Sequence, residues 1–339
     1  MKLAAAGNVM KVWLYAVASV LLGAWVAPLF FNAGMALAEV SAAKSTNGAL
    51  EWLAGKCGEV DFPVYYGGSI LLVAMILFVP WVEWLSVGTT GEPRVRPWTI
   101  RVGHGCVGGR GQALERNVRG LWHCCAGFLI VSGLLLSIGA GLVPAGLISL
   151  KGAVGGHGEL ALRTLAKVAG LAVVMEVFFR GIVMGVFLRA MRPAAALGMS
   201  AAFFALTLCV VPWGGLDVAD PEASGIGFEL LEKTAMGFGD GRVVMGRFAP
   251  LLALGGVLSY VRWRTASLWM PIGLHAGWLF AAGMLGELTE PVMEMGAREW
   301  VISGGLLQQG LVPMLGIFLA GMLAHFLTDK SDERHEAEL

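Results

Sequence analysis

Charge is the scarcest property of this sequence. Asp, Glu, Lys and Arg make up 14% of its 339 residues, against about 25% in an ordinary soluble domain. That leaves too little polar surface to coat soluble domains of this length, which excludes a soluble enzyme. With 57% hydrophobic residues, a disordered chain is excluded as well. Neither sign dominates: 24 Lys and Arg stand against 24 Asp and Glu, so no bulk basicity points to nucleic acid. Cysteine is sparse, with five residues at 57, 106, 124, 125 and 209 and no CxxC pair. Neither a disulfide framework nor a zinc ribbon is expected. The cysteines read as small buried apolar side chains, with Cys57 in an external loop. No internal repeat or low-complexity tract is present.

What the sequence does have is apolar length. Runs of about 20 residues, each enough to cross a ~30 Å hydrocarbon core as helix, fall near residues 12–31, 67–87, 121–142, 160–188, 194–213, 248–260, 268–285 and 306–327. These predict an all-α polytopic membrane protein with about eight transmembrane helices, the sixth the shortest. Trp13, Trp84, Trp122, Trp213, Trp263 and Trp300 sit at span ends, where an interfacial aromatic belt belongs.

Loop charge alternates along the chain. The second connection carries Arg94, Arg96, Arg101, Arg110, Arg116 and Arg119. The turns after the fourth and sixth spans carry Arg189 with Arg192 and Arg262 with Arg264. The remaining connections are acidic: Glu39, Glu51, Glu59 and Asp61; then Asp217, Asp220, Glu222, Glu229, Glu232 and Asp240; then Glu287, Glu290, Glu294 and Glu299. Basic loops stay on the cytoplasmic side, which predicts two cytoplasmic termini in a bacterial inner membrane. The Arg-rich segment 91–119 reads as a topology determinant that contacts anionic lipid rather than nucleic acid. Ala36-Leu37-Ala38 looks like a signal-peptidase site after Lys2 and Lys11, but the apolar run before it exceeds the usual 7–15 residues, so a retained first helix is expected. The organisation expected is an N-terminal part at 1–140 holding three helices and the Arg-rich loop, a membrane core at 141–327, and a charged, frayed cytoplasmic tail at 328–339. In the acidic segment 218–247, residues 226–236 read either as a short amphipathic helix on the membrane surface or as a solvated loop.

Ionisable side chains at membrane depth are costly and mark a site or a pair. The fourth span holds Glu176 and Arg180, one helical turn apart with the acid first, the favourable order. The seventh span holds His275, and Glu83 lies near the cytoplasmic end of the second, within reach of headgroups. Gly181 with Gly185, and Gly273 with Gly277, are small-xxx-small pairs that let helix backbones approach. Together these features predict that the fourth and seventh spans meet around a buried polar centre. On their own, Glu176 and Arg180 read equally as a structural ion pair. No residue in the sequence requires His275 as a structural partner, so replacing it with alanine is expected to be mild.

Met175-Glu176-Val177-Phe178-Phe179-Arg180-Gly181 resembles the Glu-Glu-x-x-x-Arg-Gly signature of the CAAX prenyl protease and bacteriocin-processing (CPBP) intramembrane proteases. Ser200 through Leu208 resembles the family's Ser-x-x-x-Phe-x-x-x-His motif. The stretch from Gly256 to Phe280, with Pro271-Ile272-Gly273-Leu274-His275, is similar to the motif ending His-x-x-x-Asn. The resemblance runs over roughly residues 160–280 and implies an eight-helix endopeptidase opening toward the cytoplasm. In that family the first glutamate and the second-motif histidine activate water, the third-motif histidine and asparagine stabilise the oxyanion, and the second glutamate and arginine organise the site.

Carried over by position, the second glutamate is Glu176, the arginine Arg180 and the third-motif histidine His275. The first glutamate falls on Met175, the second-motif histidine on Leu208 (or Thr207 in a register one residue earlier) and the asparagine on Leu279. A general base contributes roughly 10²–10⁴ in rate and an oxyanion donor about 10²–10³, and Met175, Leu208 and Leu279 supply neither. Glu176 and His275 offer at most two metal ligands, where a catalytic zinc takes about three, so no metal or other cofactor is expected. Three readings follow. The first is a degenerate family member that binds a peptide or partner helix without cutting it. The second is an active peptidase rearranged around Glu176, Arg180 and His275, and the third is a transporter or structural bundle. Expected partners are membrane lipids and a peptide or membrane-protein segment, with no nucleic acid.

Overall fold

A computed structural model describes residues 2–43, 47–86, 120–151, 156–211, 218, 220–292 and 310–336. Its helices are α1 (Lys2–Ala43), α2 (Gly48–Glu59), α3 (Phe62–Ser86), α4 (Gly120–Leu142), α5 (His157–Ala190), α6 (Pro193–Val210), α7 (Ile226–Met236), α8 (Gly241–Thr265), α9 (Trp269–Leu288) and α10 (Leu311–Glu336). Two short strands, β1 (Ile148–Leu150) and β2 (Thr289–Pro291), pair antiparallel with Ser149 opposite Glu290. Among the described residues, seven helices are long and apolar enough to cross a membrane: α1, α3, α4, α5, α6, α8 and α10. The protein is an all-α polytopic integral membrane protein.

The seventh expected span, 268–285, is α9. It is helical over 20 residues, but its Pro, Gly, Trp and His residues keep it out of the set apolar enough to face lipid. Burial explains how that composition is tolerated: twelve of its 20 residues are buried in protein, where lipid does not have to solvate them. The sixth span, expected to be short, reaches 25 residues as α8. The tail, expected to fray, continues as helix to Glu336; Lys, Arg and Glu are good helix formers. The segments holding Trp213, Trp300, Cys106, Asp217, Glu294, Glu299 and the arginines from Arg94 to Arg119 lie outside the described residues. Of the four described cysteines only Cys209 is fully buried; Cys125 is exposed, and Cys57 lies in α2 rather than in a loop.

The chain divides into two compact units, the first built from residues 1–94 and 206–240 and the second from 95–205 and 241–339. In the first, α1 and α3 pack against each other where Gly23 admits the backbone of Ile70. Polar atoms along the contact satisfy one another. The Tyr15 hydroxyl donates to the Ala74 carbonyl at 2.7 Å and the Trp81 indole to the Lys11 carbonyl at 3.1 Å, with the Tyr15 and Trp81 rings stacked at 4.4 Å. The α2 helix begins at Asn47, whose side chain accepts from the Leu50 amide at 2.9 Å as an N-cap. The α7 helix has the predicted bounds 226–236 and is a helix rather than a loop, with one face packed on protein. Ile226 and Leu230 join Ala24, Ala27, Phe31, Phe62 and Tyr66 in one buried cluster, and a side chain at Gly227 would overlap the Ala24 carbonyl. Its charged face carries a Glu229–Lys233 pair at 2.8 Å.

In the second unit α9 is the central element, packed against α4, α5 and α8. Gly273 and Gly277 do mark a close helix contact, though not with the fourth span as expected. A Cβ at either would run into the backbone carbonyl of Cys124 or Phe128 on α4. Small residues alone let these backbones meet, and they hold α9 in one register against α4. Gly181, expected to act the same way, has no atom closer to its Cβ position than Leu268 at 3.7 Å. On α8 and α10, Tyr260 and His325 share a hydrogen bond of 2.6 Å and Arg264 donates to Thr328 at 3.0 Å.

Candidate functional site

The α5 helix changes winding where the polar residues occur. It is α-helical from His157 to Glu176, π-helical from Val177 to Val183 and α-helical again from Met184 to Ala190. The Met184 amide donates to the carbonyl of Phe179, the i→i−5 bond of a π turn. Such a turn admits one extra residue into a helix and occurs frequently at functional sites. Phe179 through Val183 are all buried, so the local unwinding is enclosed by protein and puts Arg180 inside it.

Arg180 is 1% exposed and Glu176 is fully buried. The Arg180 Nη1 donates to Glu176 Oε1 at 2.9 Å, and Nη2 donates to the Gly255 carbonyl on α8 at 3.3 Å. The guanidinium lies over the Phe204 ring of α6, 4.3 Å from its centroid, an attraction that strengthens in a dry setting. Phe204 occupies the phenylalanine position of the second motif. Ser200, the motif's serine, shares a 3.3 Å hydrogen bond with Ser259 of α8.

His275 completes the cluster from α9. Its Nδ1 lies 2.6 Å from Glu176 Oε1, and its ring meets the edge of Phe204 at 5.8 Å. The fourth and seventh spans therefore do meet around a buried polar centre, as expected, with the carboxylate as the meeting point. Two donors converge on one carboxylate oxygen. Glu176 and Arg180 cancel in charge, and a further positive charge on the imidazole would carry the high cost of a net charge at membrane depth. The neutral ring, with Nδ1–H donating to the carboxylate, satisfies both requirements. The expectation that His275 lacks a structural partner is corrected: its partner is Glu176, 99 positions away.

Met175 precedes Glu176 and Leu279 follows Trp278; both are half-buried and apolar. Thr207 and Leu208, also half-buried, lie in the last turn of α6, beyond the point where the chain passes into the first unit. The sequence did not mark the Gly255 carbonyl, the π turn or Trp278. Only Phe204 carried a signal, through the second motif.

Among the described residues no three His, Cys, Asp or Glu side chains come together as metal ligands. Glu176 and His275 are two, and one carboxylate oxygen is already shared by Arg180 and His275. A catalytic zinc takes three protein ligands and a water, and Glu176 and His275 supply only two.

Residues 157–281 match the family model described as type II CAAX prenyl endopeptidase Rce1-like. Comparisons with curated proteins and with solved structures returned no match. The matched segment runs from the first residue of α5 into α9 and contains Glu176, Arg180, Phe204 and His275 together with Met175, Thr207, Leu208 and Leu279. Over this segment, somewhat over a third of its length, the chain is similar to the Rce1-like family of type II CAAX prenyl endopeptidases.

Proposed function

We propose that this membrane protein is a CAAX-protease-like family member that binds a peptide or a partner helix at the family's cleft without hydrolysing it. The observation that carries this reading is the closure of Glu176 on Arg180 and His275. The carboxylate is fully buried, with one oxygen taken by both neighbours. Both neighbours hold the same oxygen, Oε1, and so fix the carboxylate in place, while Oε2 has no partner among the described residues. The side chains at the positions of the family's water-activating groups are Met175 and Leu208, and at the oxyanion asparagine Leu279. Their apolar character removes the cost that an unpartnered acid or imidazole carries in a dry site, which fits a fold kept for binding. On this reading both termini lie on the cytoplasmic side of a bacterial inner membrane, which the basic connections favour, with membrane lipids and a peptide segment as partners and no nucleic acid.

A second reading draws on the same geometry. A carboxylate that orients an imidazole through Nδ1–H leaves Nε2 as a base, the logic of hydrolytic triads, and His275 Nε2 has no partner among the described residues. An active peptidase would then work from His275, with Glu176 and Arg180 as its orienting groups.

The test is equilibrium binding of a fluorescent farnesylated CAAX peptide to the purified full-length protein in lipid nanodiscs, with mass spectrometry of the recovered peptide. Saturable binding with the peptide recovered intact supports the proposal. Absence of saturable binding overturns it.

A further inference from the structure

An open groove of about 350 Å³ lies within the first unit, between α1, α2 and the start of α3. Its walls include Phe30 of α1, Cys57 of α2, and Tyr65, Ser69 and Leu72 of α3. The two wall hydroxyls are already spent inside the protein. Tyr65 donates to the Cys57 carbonyl at 2.9 Å, and Ser69 donates to the Tyr65 carbonyl at 2.8 Å. The body of the groove therefore suits an apolar guest, since a polar one would lose its hydration there without gaining partners. Gly68 also lines the groove, and a Cβ at that position would meet no atom within 4 Å.

Charge is confined to one end. Lys56 lines the groove where α2 leads into α3 and pairs with Glu59 at 2.5 Å, and Asp61 follows in the connection. This end lies at headgroup depth. The apolar span of α3 begins at Phe62, and α2 exposes 67% of Trp52, a ring that belongs at the membrane–water boundary. From Val64 the groove follows α3 to Leu72, about 12 Å along the span at the rise of a helix.

A charged end at the headgroups and an apolar trough running into the span match one acyl chain and its headgroup. The charges select which headgroup. An ammonium has three donors and Glu59 takes one from Lys56, which leaves two for a phosphate. The acids Glu59 and Asp61 outnumber Lys56 at this end, so a headgroup that is negative overall is disfavoured and one that adds an ammonium is complementary.

We infer that this groove binds one acyl chain of a zwitterionic phospholipid with an ethanolamine headgroup, its phosphate at Lys56 and its ammonium at Glu59. The site lies in the first unit and is independent of the function proposed for the Glu176 cluster.

The experiment places the full-length protein in nanodiscs with a trace of phospholipid that carries a photoreactive diazirine on its acyl chain. Separate samples use phosphatidylethanolamine and the anionic phosphatidylglycerol, and mass spectrometry maps the labelled positions. Leu129 on α4, 66% exposed, reports lipid that only brushes the protein surface. In the wild type, labelling at residues 64–72 relative to Leu129 is expected to be about twofold to fivefold higher with the ethanolamine lipid, the range of an exposed ion pair. Lys56→Gln removes that preference and leaves the chain in the groove. Gly68→Leu fills the trough, displaces at least two methylenes and lowers the labelling by about tenfold. Groove labelling no stronger than at Leu129 overturns the site, and is the result that bulk lipid or a partner helix seated in the groove would give. Equal wild-type labelling by the two headgroups overturns it as well, and so does labelling that Gly68→Leu leaves unchanged. The headgroup ratio is read on the wild type, so it decides the matter even where a variant folds poorly.

Discussion

His275 and Glu176 meet across 99 positions of sequence, with the imidazole Nδ1 2.6 Å from a carboxylate oxygen that Arg180 already holds at 2.9 Å. This contact joins α5 to α9, and through Arg180 the same group reaches the Gly255 carbonyl of α8. One acid therefore links three helices inside the second unit. The consequences can be measured residue by residue.

Arg180→Leu removes the countercharge of a fully buried carboxylate. Breaking a buried pair from one side costs about 3–5 kcal/mol, so folded yield and thermal midpoint in detergent fall sharply. The double variant Glu176→Leu with Arg180→Leu removes the stranded charge and recovers part of that loss. A thermal melt of Arg180→Leu that matches the wild type would show that the pair does not form.

His275→Ala takes away a donor to the same carboxylate. From the sequence alone the change is expected to be mild, but the geometry reverses that expectation. A hydrogen bond to a charged group is worth about 1.5–3 kcal/mol, and the loss appears as a lower thermal midpoint. His275→Gln, which keeps a donor, lies between the two. Equal midpoints for His275→Ala and the wild type would remove the structural role.

Gly273→Val and Gly277→Val place a branched side chain against the Cys124 and Phe128 carbonyls and push α9 from α4. Each is expected to abolish the folded fraction seen in size-exclusion chromatography. Gly198→Ala on α6 meets no atom within 4 Å and leaves that profile unchanged. Normal elution of both valine variants would contradict the α4–α9 contact.

Much of this was legible in the residues, and the illegible parts share a cause. Apolar runs marked the helices, because the bilayer leaves no other way to satisfy a spanning backbone. The one-turn spacing of Glu176 and Arg180 gave their pairing, because it is local. Small-xxx-small spacing at Gly273 and Gly277 revealed that some backbone comes close, but which one depends on the tertiary arrangement, and it is α4 rather than α5. The π turn at Val177–Val183 leaves no mark in hydropathy, since a change of winding does not alter the residues themselves. The pairing of β1 with β2 and the packing of α7 on α1 join distant parts of the chain, beyond what local periodicity encodes. In α9 a buried position lets a helix carry His, Trp, Pro and Gly that would be poorly suited to lipid.

The most direct test of the central claim, that Glu176 is closed into a structural group and serves no hydrolysis, is the rate at which purified protein in nanodiscs releases the carboxyl-terminal tripeptide from a farnesylated CAAX peptide. The account predicts no release above the rate of protein-free nanodiscs, with wild type and Glu176→Gln indistinguishable. Release by the wild type that disappears in Glu176→Gln would contradict it and establish the His275-centred peptidase in its place.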